Sequence, residues 1–410
     1  MKVAFKYRAY PTQNQVKEIQ RHFQIHANIY NKTLDTLDNT NNSEWIGNYA
    51  MHKQLTQWKK SDENNFKQVN SKAAQQTVNR IYDAIDGLSA LKQKGEKVGK
   101  LRHRNQLTSI EYNQSGFDVN ENTVRFDKIG KIPIEKHRPT KGEIKGVTLK
   151  HAGTGNWYAC VICEVEELPE LSIEDIEDDS VVGIDVNVSN LFADTEGRKL
   201  ESFYNYLEPE LSRIKKEHKN LSRKEEGSNN YKKQHKKLSQ AYQDLVNKRD
   251  DILHKLSNWY VKNYDLISVE DIDSKELSEN GSGLGKYIRS QAWSRLVEFI
   301  EYKASQAGIQ TLRVDPRNTT KNCSNPDCNE IYKKSLDDRV HSCEECGFET
   351  DRDVNASWNV LFKALDSFDS ERLGQGLSEL TPVEIDTSSG SSSIEEVPLS
   401  VIAESGSPRL

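Results

Sequence analysis

The run from Cys323 to Asn359 constrains this chain more than any other stretch. Cys323 and Cys328 are separated by four residues, and fourteen residues later come Cys343 and Cys346, separated by two. Two cysteine pairs of this kind make a tetrahedral Zn²⁺ site. Seven residues past the last cysteine stands Asp353, inside DRDVNASWNV. That segment starts a helix, where free N–H groups accommodate a carboxylate. A metal-stapled knuckle therefore feeds straight into an acidic helix start.

The rest of the chain, with 410 residues in all, is long enough for two or three domains. Its 57 basic and 63 acidic residues leave a net charge of -6, which by itself argues weakly against a nucleic-acid partner. The charge is unevenly spread. Residues 367–410 hold eight acidic and two basic residues, so the preceding chain is formally neutral. Within it, Arg213 to Lys237 carries ten basic and three acidic residues, and Lys92 to Arg104 six and one. Such patches are either solvated helix faces or tracks for a phosphate backbone. The other two cysteines, Cys160 and Cys163, lie three apart on an apparent strand and so face opposite ways. They read as small buried residues, and thiols kept for metal suggest a reducing interior. No stretch approaches the roughly 20 apolar residues of a membrane span, and the N-terminus lacks a leader-type apolar run. The expectation is a soluble, intracellular protein without a membrane partner.

Residues 2–10 alternate as a strand does, and a helical region follows to about Gln93. From Ile110 to Glu166 the period returns to two, with Gly- and Asn-rich turns. This reads as a small β domain, a barrel completed by the first strand, with the helices inserted into it. Glu166 to Ser180 reads as an acidic linker or exposed loop. Val181 to Asp185 opens a new α/β domain as a short apolar strand ending in a carboxylate, and Asn187 and Asn190 mark the turn after it. Residues 207–262 read as a basic helical hairpin. Asp265 to Glu270 is a strand that again ends in a carboxylate; Ser282 to Lys286 is Gly-rich but lacks the P-loop pattern. Residues 288–306 form a helix, Ile309 to Val314 a strand, and the last 44 residues a disordered acidic tail.

Asp185, Glu270 and Asp353 stand where α/β sheets build sites: two at strand ends and one at a helix start. Three converging carboxylates suit two Mg²⁺ or Mn²⁺ ions about 4 Å apart, which activate water against a phosphodiester. Asp351 competes with Asp353 and Asp271 with Glu270. Asp194 and Asp315 either assist or cap turns.

GIDVNVSNLFA, ISVEDID and the run PRNTTKNCSNPDCNE to DRDVNASWNV resemble the TnpB (OrfB) proteins of insertion sequences, relatives of the type V CRISPR effectors. The resemblance covers about residues 1–365. It implies an α/β plus β architecture. Residues 181–317 and 351–366 would be a RuvC-type, RNase-H-like nuclease core, with a zinc knuckle inserted at 318–350. Residues 1–10 and 100–168 would be a wedge-like β-barrel domain carrying a helical recognition insert at 11–99, joined through 169–180, with 367–410 as tail. It also implies a catalytic triad of Asp185, Glu270 and Asp353 on Mg²⁺, structural Zn²⁺ on Cys323, Cys328, Cys343 and Cys346, and an RNA-guided DNA endonuclease encoded by a transposable element. Its partners would be a guide RNA from the element's end and target DNA bearing a short flanking motif. It would act as a monomer in the cytoplasm, associated with the nucleoid. Lys215, Lys216, Lys232, Lys233, Lys236, Lys237, Arg102, Arg104 and Arg352 are the candidate nucleic-acid contacts, Arg352 either on phosphate or paired with a carboxylate. The alternative is a non-cleaving, guided regulatory protein of the same family. Three departures stand out: the four-residue spacer between Cys323 and Cys328, where the family usually has two, Asn187, where the family often has Gly, and Ser357, where a second Ala is common.

Overall fold

The structure is a computed structural model that describes residues 1–39, 45–61, 63–186, 191–200, 203–271, 284–328, 330–332 and 338–367. Asn187, Asn190, residues 272–283 and the tail beyond residue 367 lie outside the described residues. The chain divides into two compact units, Met1–Glu166 and a second that begins at Glu167.

In the first unit, β1 (Lys2–Ala9) sits inside a seven-stranded sheet built with β2 (Ser109–Asn113), β3 (Phe117–Val119), β4 (Thr123–Phe126), β5 (Gly130–Glu135), β6 (Glu143–His151) and β7 (Trp157–Glu164). The order is β2-β6-β7-β1-β5-β4-β3, antiparallel throughout, with β2 and β3 at the edges. The barrel expected from the alternating pattern is thus nearly, not fully, closed. Alternation along β7 buries Cys163 and leaves Cys160 half-buried on the opposite face. Between β1 and β2 run α1 (Gln13–Asp38), α2 (Asn48–Ser61) and α3 (Ser71–Gln93). Thr12 and Gln15 close a capping box at the start of α1. Ile25, Ile29, Met51, Leu55, Trp58, Val78 and Ile81 give the helices an apolar core of their own.

The second unit is organised by a four-stranded sheet in the order β11-β10-β8-β9. The strands are β8 (Val181–Asp185), β9 (Ala193–Asp194), β10 (Leu266–Glu270) and β11 (Gln310–Val314). β8, β10 and β11 are parallel; β9 returns antiparallel along β8. Every residue of β8 and β10 is buried, because helices cover both faces. On one face Val182, Ile184, Ile267 and Val269 pack with α4 (Phe203–Leu221), α5 (Asn229–Asn263) and α6 (Leu284–Ala307). On the other, Val181 and Leu266 meet Val354, Trp358, Leu361 and Leu365 of α7 (Arg352–Asp366). Between the last strand and α7, β12 (Val340–Ser342) and β13 (Glu349–Asp351) form a hairpin that carries the second cysteine pair.

The expectation for residues 169–180 changes. The segment 169–180 is not a free linker: it contains two short 3₁₀ turns and buries Ile176 beside Val181 and Leu266. It is tied to the sheet edge because the Leu171 N–H donates to Gly308 O and the Gln310 amide donates to Leu171 O. Its density of acidic residues hid one well-placed apolar side chain.

α7 lies very close to β8. A Cβ at Gly183 would collide with the carbonyl oxygen of Ser357 and stand 2.9 Å from Leu361 Cβ. Both obstacles belong to the helix, so they cannot swing away. Gly183→Ala is therefore expected to lower stability by about 1–3 kcal/mol, read as a fall in the midpoint of thermal or urea unfolding. A second prediction concerns Lys303 of α6, whose buried amine donates to His254 O and Ser257 Oγ. Burial pushes it down to about 7 from the usual 10.5. Between those values the unfolded chain holds a proton the folded chain lacks, so wild-type stability rises with pH across that window. Lys303→Met removes this rise, which urea melts at a series of pH values would reveal.

Candidate active site

The register of the parallel strands brings two acids together. Val181 to Ile184 pair with Leu266 to Val269, so the next step along both strands sets Asp185 beside Glu270. Side chains alternate along a strand, so Asp185 shares the face of Val181 and Gly183, and Glu270 that of Leu266 and Ser268. This is the face covered by α7. Asp353 sits in the first turn of α7. The three acids are only 2–6% exposed. Sequence-distant residues 185, 270 and 353 thus meet one sheet face and the helix packed on it.

Neighbouring groups separate the competitors. Asp351 is the N-cap of α7: its Oδ1 accepts from the N–H groups of Asp353 (2.8 Å) and Val354 (3.2 Å). The same oxygen takes the Lys199 ammonium at 2.7 Å. Lys199 also reaches Asp353 Oδ2 at 3.5 Å, and Arg352 donates to Asp353 Oδ1 from two nitrogens at 3.2 Å each. Asp271 is exposed and pairs with Arg313. Asp194 is spent on the N–H groups of Glu196 and Arg198, the Arg198 guanidinium and the Tyr260 hydroxyl. Asp315 accepts the Arg317 N–H and is exposed. Both act as turn caps.

Glu270 differs from the aspartates. Burial pushes its carboxyl up to about 7, against a hydrogen bond from Thr319 Oγ1 at 2.5 Å and the nearby charge of Lys363. Lys363 offsets that burial only in part. An all-oxygen donor set of this kind fits Mg²⁺ or Mn²⁺. Among the described residues, however, only the cysteines gather ligand atoms closely enough to hold one ion as a group of three or more. Asp185, Glu270 and Asp353 are not drawn into such a cluster.

The four cysteine sulfurs lie within 4.8 Å of one another. Cys323 and Cys346 Sγ are 3.7 Å apart, and Cys328 and Cys343 Sγ 3.6 Å. A tetrahedron with metal–sulfur arms of about 2.3 Å has edges of about 3.8 Å, so the set fits a metal ion. The long Cys323–Cys328 spacer closes because Asn325 folds it: its side chain accepts the Asp327 N–H and its carbonyl the Cys328 N–H. On the other pair, Gly347 takes a positive φ of 76° and donates to Cys343 O.

Of the candidate nucleic-acid contacts, Lys215 and Lys216 on α4 and Lys232, Lys233, Lys236 and Lys237 on α5 are exposed, as are Arg102 and Arg104 in the first unit. Of the two roles left open for Arg352, the structure shows the pairing with a carboxylate. Arg352 is half-buried and committed to Asp353 and the Asp338 carbonyl. Sequence reasoning missed Lys199 and Thr319 altogether. Neither carries a local signal, since each matters only through an acid that folding brings to it.

Three family profiles match the chain: a helix-turn-helix domain of the OrfB type over residues 1–40, one described as "Probable transposase" over 161–281, and a "Cas12f1-like, TNB domain" over 293–360. Residues 1–40 nonetheless hold a strand and one long helix, with no helix-turn-helix among the described residues. A Streptomyces pristinaespiralis protein provisionally named an RNA-guided DNA endonuclease is 29% identical over all of this chain and 99% of its own length. The Escherichia coli K12 protein InsQ, given the same provisional name, is 26% identical over 87% of this chain and 91% of its own. The solved complex of Cas12f1 with single-guide RNA and target DNA shares the fold at a TM-score of 0.53, with 13% identity, covering 88% of this chain and 98% of that one. In sequence the matches set the chain beside proteins named as RNA-guided DNA endonucleases, and in fold beside a Cas12f1. The chain is thus similar, over nearly all of its length, to TnpB- and OrfB-type proteins of insertion sequences.

Lys199 is nearly buried between two carboxylates. Lys199→Met leaves them without that charge, and is expected to cost about 3–5 kcal/mol, measured by urea unfolding of the metal-free protein.

Proposed function

We propose that this protein is an RNA-guided DNA endonuclease whose RuvC-like core hydrolyses phosphodiester bonds with Asp185, Glu270 and Asp353. One observation carries the reading: two buried strand-end acids in adjacent register, on the face where a third acid begins the covering helix. Magnesium held by these carboxylates would supply an activated water and a counter-charge for the departing 3′ oxygen. The protein's own residues prepare that site. Thr319 orients Glu270, Asp351 caps α7 so that Asp353 stays in the first turn, and Lys199 with Arg352 balances the aspartates until cations arrive. Zinc on the four cysteines would hold the knuckle from which α7 departs. The names of the relatives, which specify RNA-guided DNA cleavage, support the same assignment.

The exposed lysines of α4 and α5 would contact phosphates, as would Arg102 and Arg104 in the first unit. A guide RNA from the element's end would read the target by base pairing, and the protein would read a short flanking motif. The working place would be the nucleoid.

The test uses protein purified with its copurifying RNA, that RNA sequenced, and DNA matched to it. Cleavage in Mg²⁺ should yield 5′-phosphate and 3′-hydroxyl ends. Asp185→Ala should lower it by about a thousandfold or more, the effect of losing several kcal/mol of transition-state stabilisation. Wild-type complex that binds matched DNA in Mg²⁺ and never cuts it would refute the reading.

A further inference from the structure

Helix α7 is buried through most of its length, yet carries Asn355 and Asn359 one turn apart, 0% and 6% exposed. Buried amides are costly unless bonded, and the bonds these make are unusual in where they go. Both side chains donate to the same carbonyl, that of Asn322, each at 2.8 Å. Asn355 also accepts the N–H of Ser324 at 3.0 Å, so the pair clasps the chain on both sides of Cys323. Asn359 donates in addition to the carbonyl of Thr319 at 2.8 Å. The hydroxyl of Thr319 is the group bonded to Glu270.

Residues 318–322 form a tight turn between these points. Asn318 has a positive φ of 65° and its carbonyl accepts the N–H groups of Lys321 and Asn322. A continuous set of buried and partly buried hydrogen bonds thus runs from the backbone around a candidate metal-ligand cysteine, through two amides of α7, to a candidate catalytic acid. Asp353 lies two residues before Asn355 on the same rigid helix.

We propose that Asn355 and Asn359 are positioning residues that latch the acid site to the root of the cysteine knuckle, so that metal on the cysteines strengthens cation binding at Asp185, Glu270 and Asp353. The inference rests on the acid-site assignment above. Coupling of this kind is reciprocal: a cation at the acids must also tighten zinc.

The experiment uses the full chain, zinc-loaded, and reads Mn²⁺ binding by electron paramagnetic resonance. Asn359→Leu keeps the side-chain volume and removes the donor. It should retain one zinc equivalent and melt cooperatively, yet need about 10–100-fold more Mn²⁺ for half occupancy. Chelating zinc from the wild type should weaken Mn²⁺ binding similarly, and chelation should add little in the variant. Wild-type Mn²⁺ affinity in Asn359→Leu, or effects of variant and chelation that add in full, would overturn the latch. If Asn359→Leu does not fold, Thr319→Val cuts the relay at its other end and meets the same criteria. Amide exchange of Val269 to Asp271 is followed in the same samples. It should quicken on zinc removal and in the variant, and an unchanged rate would overturn the latch whatever Mn²⁺ does. Wild-type protein that binds Mn²⁺ with this zinc dependence but cuts no matched DNA would sink the nuclease reading and leave the latch standing.

Discussion

The contact on which the second unit depends is that of α7 with β8 at Gly183. There the helix backbone reaches the strand with no side chain between them. Such proximity sets the height of α7 above the sheet, and so the height of Asp353 above the ends of β8 and β10. It also explains why α7 is buried on nearly every side: one side meets Val181 and Leu266, while Val360 and Ala364 meet Val314. A larger residue at position 183 would lift the helix, and every distance at the site would lengthen together.

The site gathers negative charge in a buried place and offsets it with the protein's own cations. Lys199 and Arg352 serve Asp351 and Asp353 on the β9 side, while Lys363 lies near Glu270 on the other. Glu270 is left with a hydroxyl for a partner, and burial raises its proton affinity. Its raised proton affinity therefore comes from burial, which the Thr319 hydroxyl and the Lys363 charge offset only in part.

The knuckle was legible because its chemistry is local. Two close cysteine pairs announce a metal site wherever they occur, and the extra residues between Cys323 and Cys328 required only the turn made by Asn325. The parallel strands were legible as short apolar runs that end in acids, since burial on both faces leaves no polar alternation. The helices of residues 13–93 followed from their three-and-four spacing. The packing of Ile176 was not legible, because a single apolar residue among acids has no period. Arg352 was left undecided between phosphate and carboxylate, and the folded chain pairs it with the acid next to it.

From sequence alone came the candidate ligands: four thiols at metal spacing, and carboxylates at two strand ends and one helix start. Those are properties of neighbouring residues, which spacing and local propensity govern. Only the tertiary structure decided which acids share a face, that Asp351 is a cap, and that Lys199 reaches across 152 positions to hold it. Pairing between distant segments depends on strand order, register and helix height, and no short stretch of chain encodes any of these by itself.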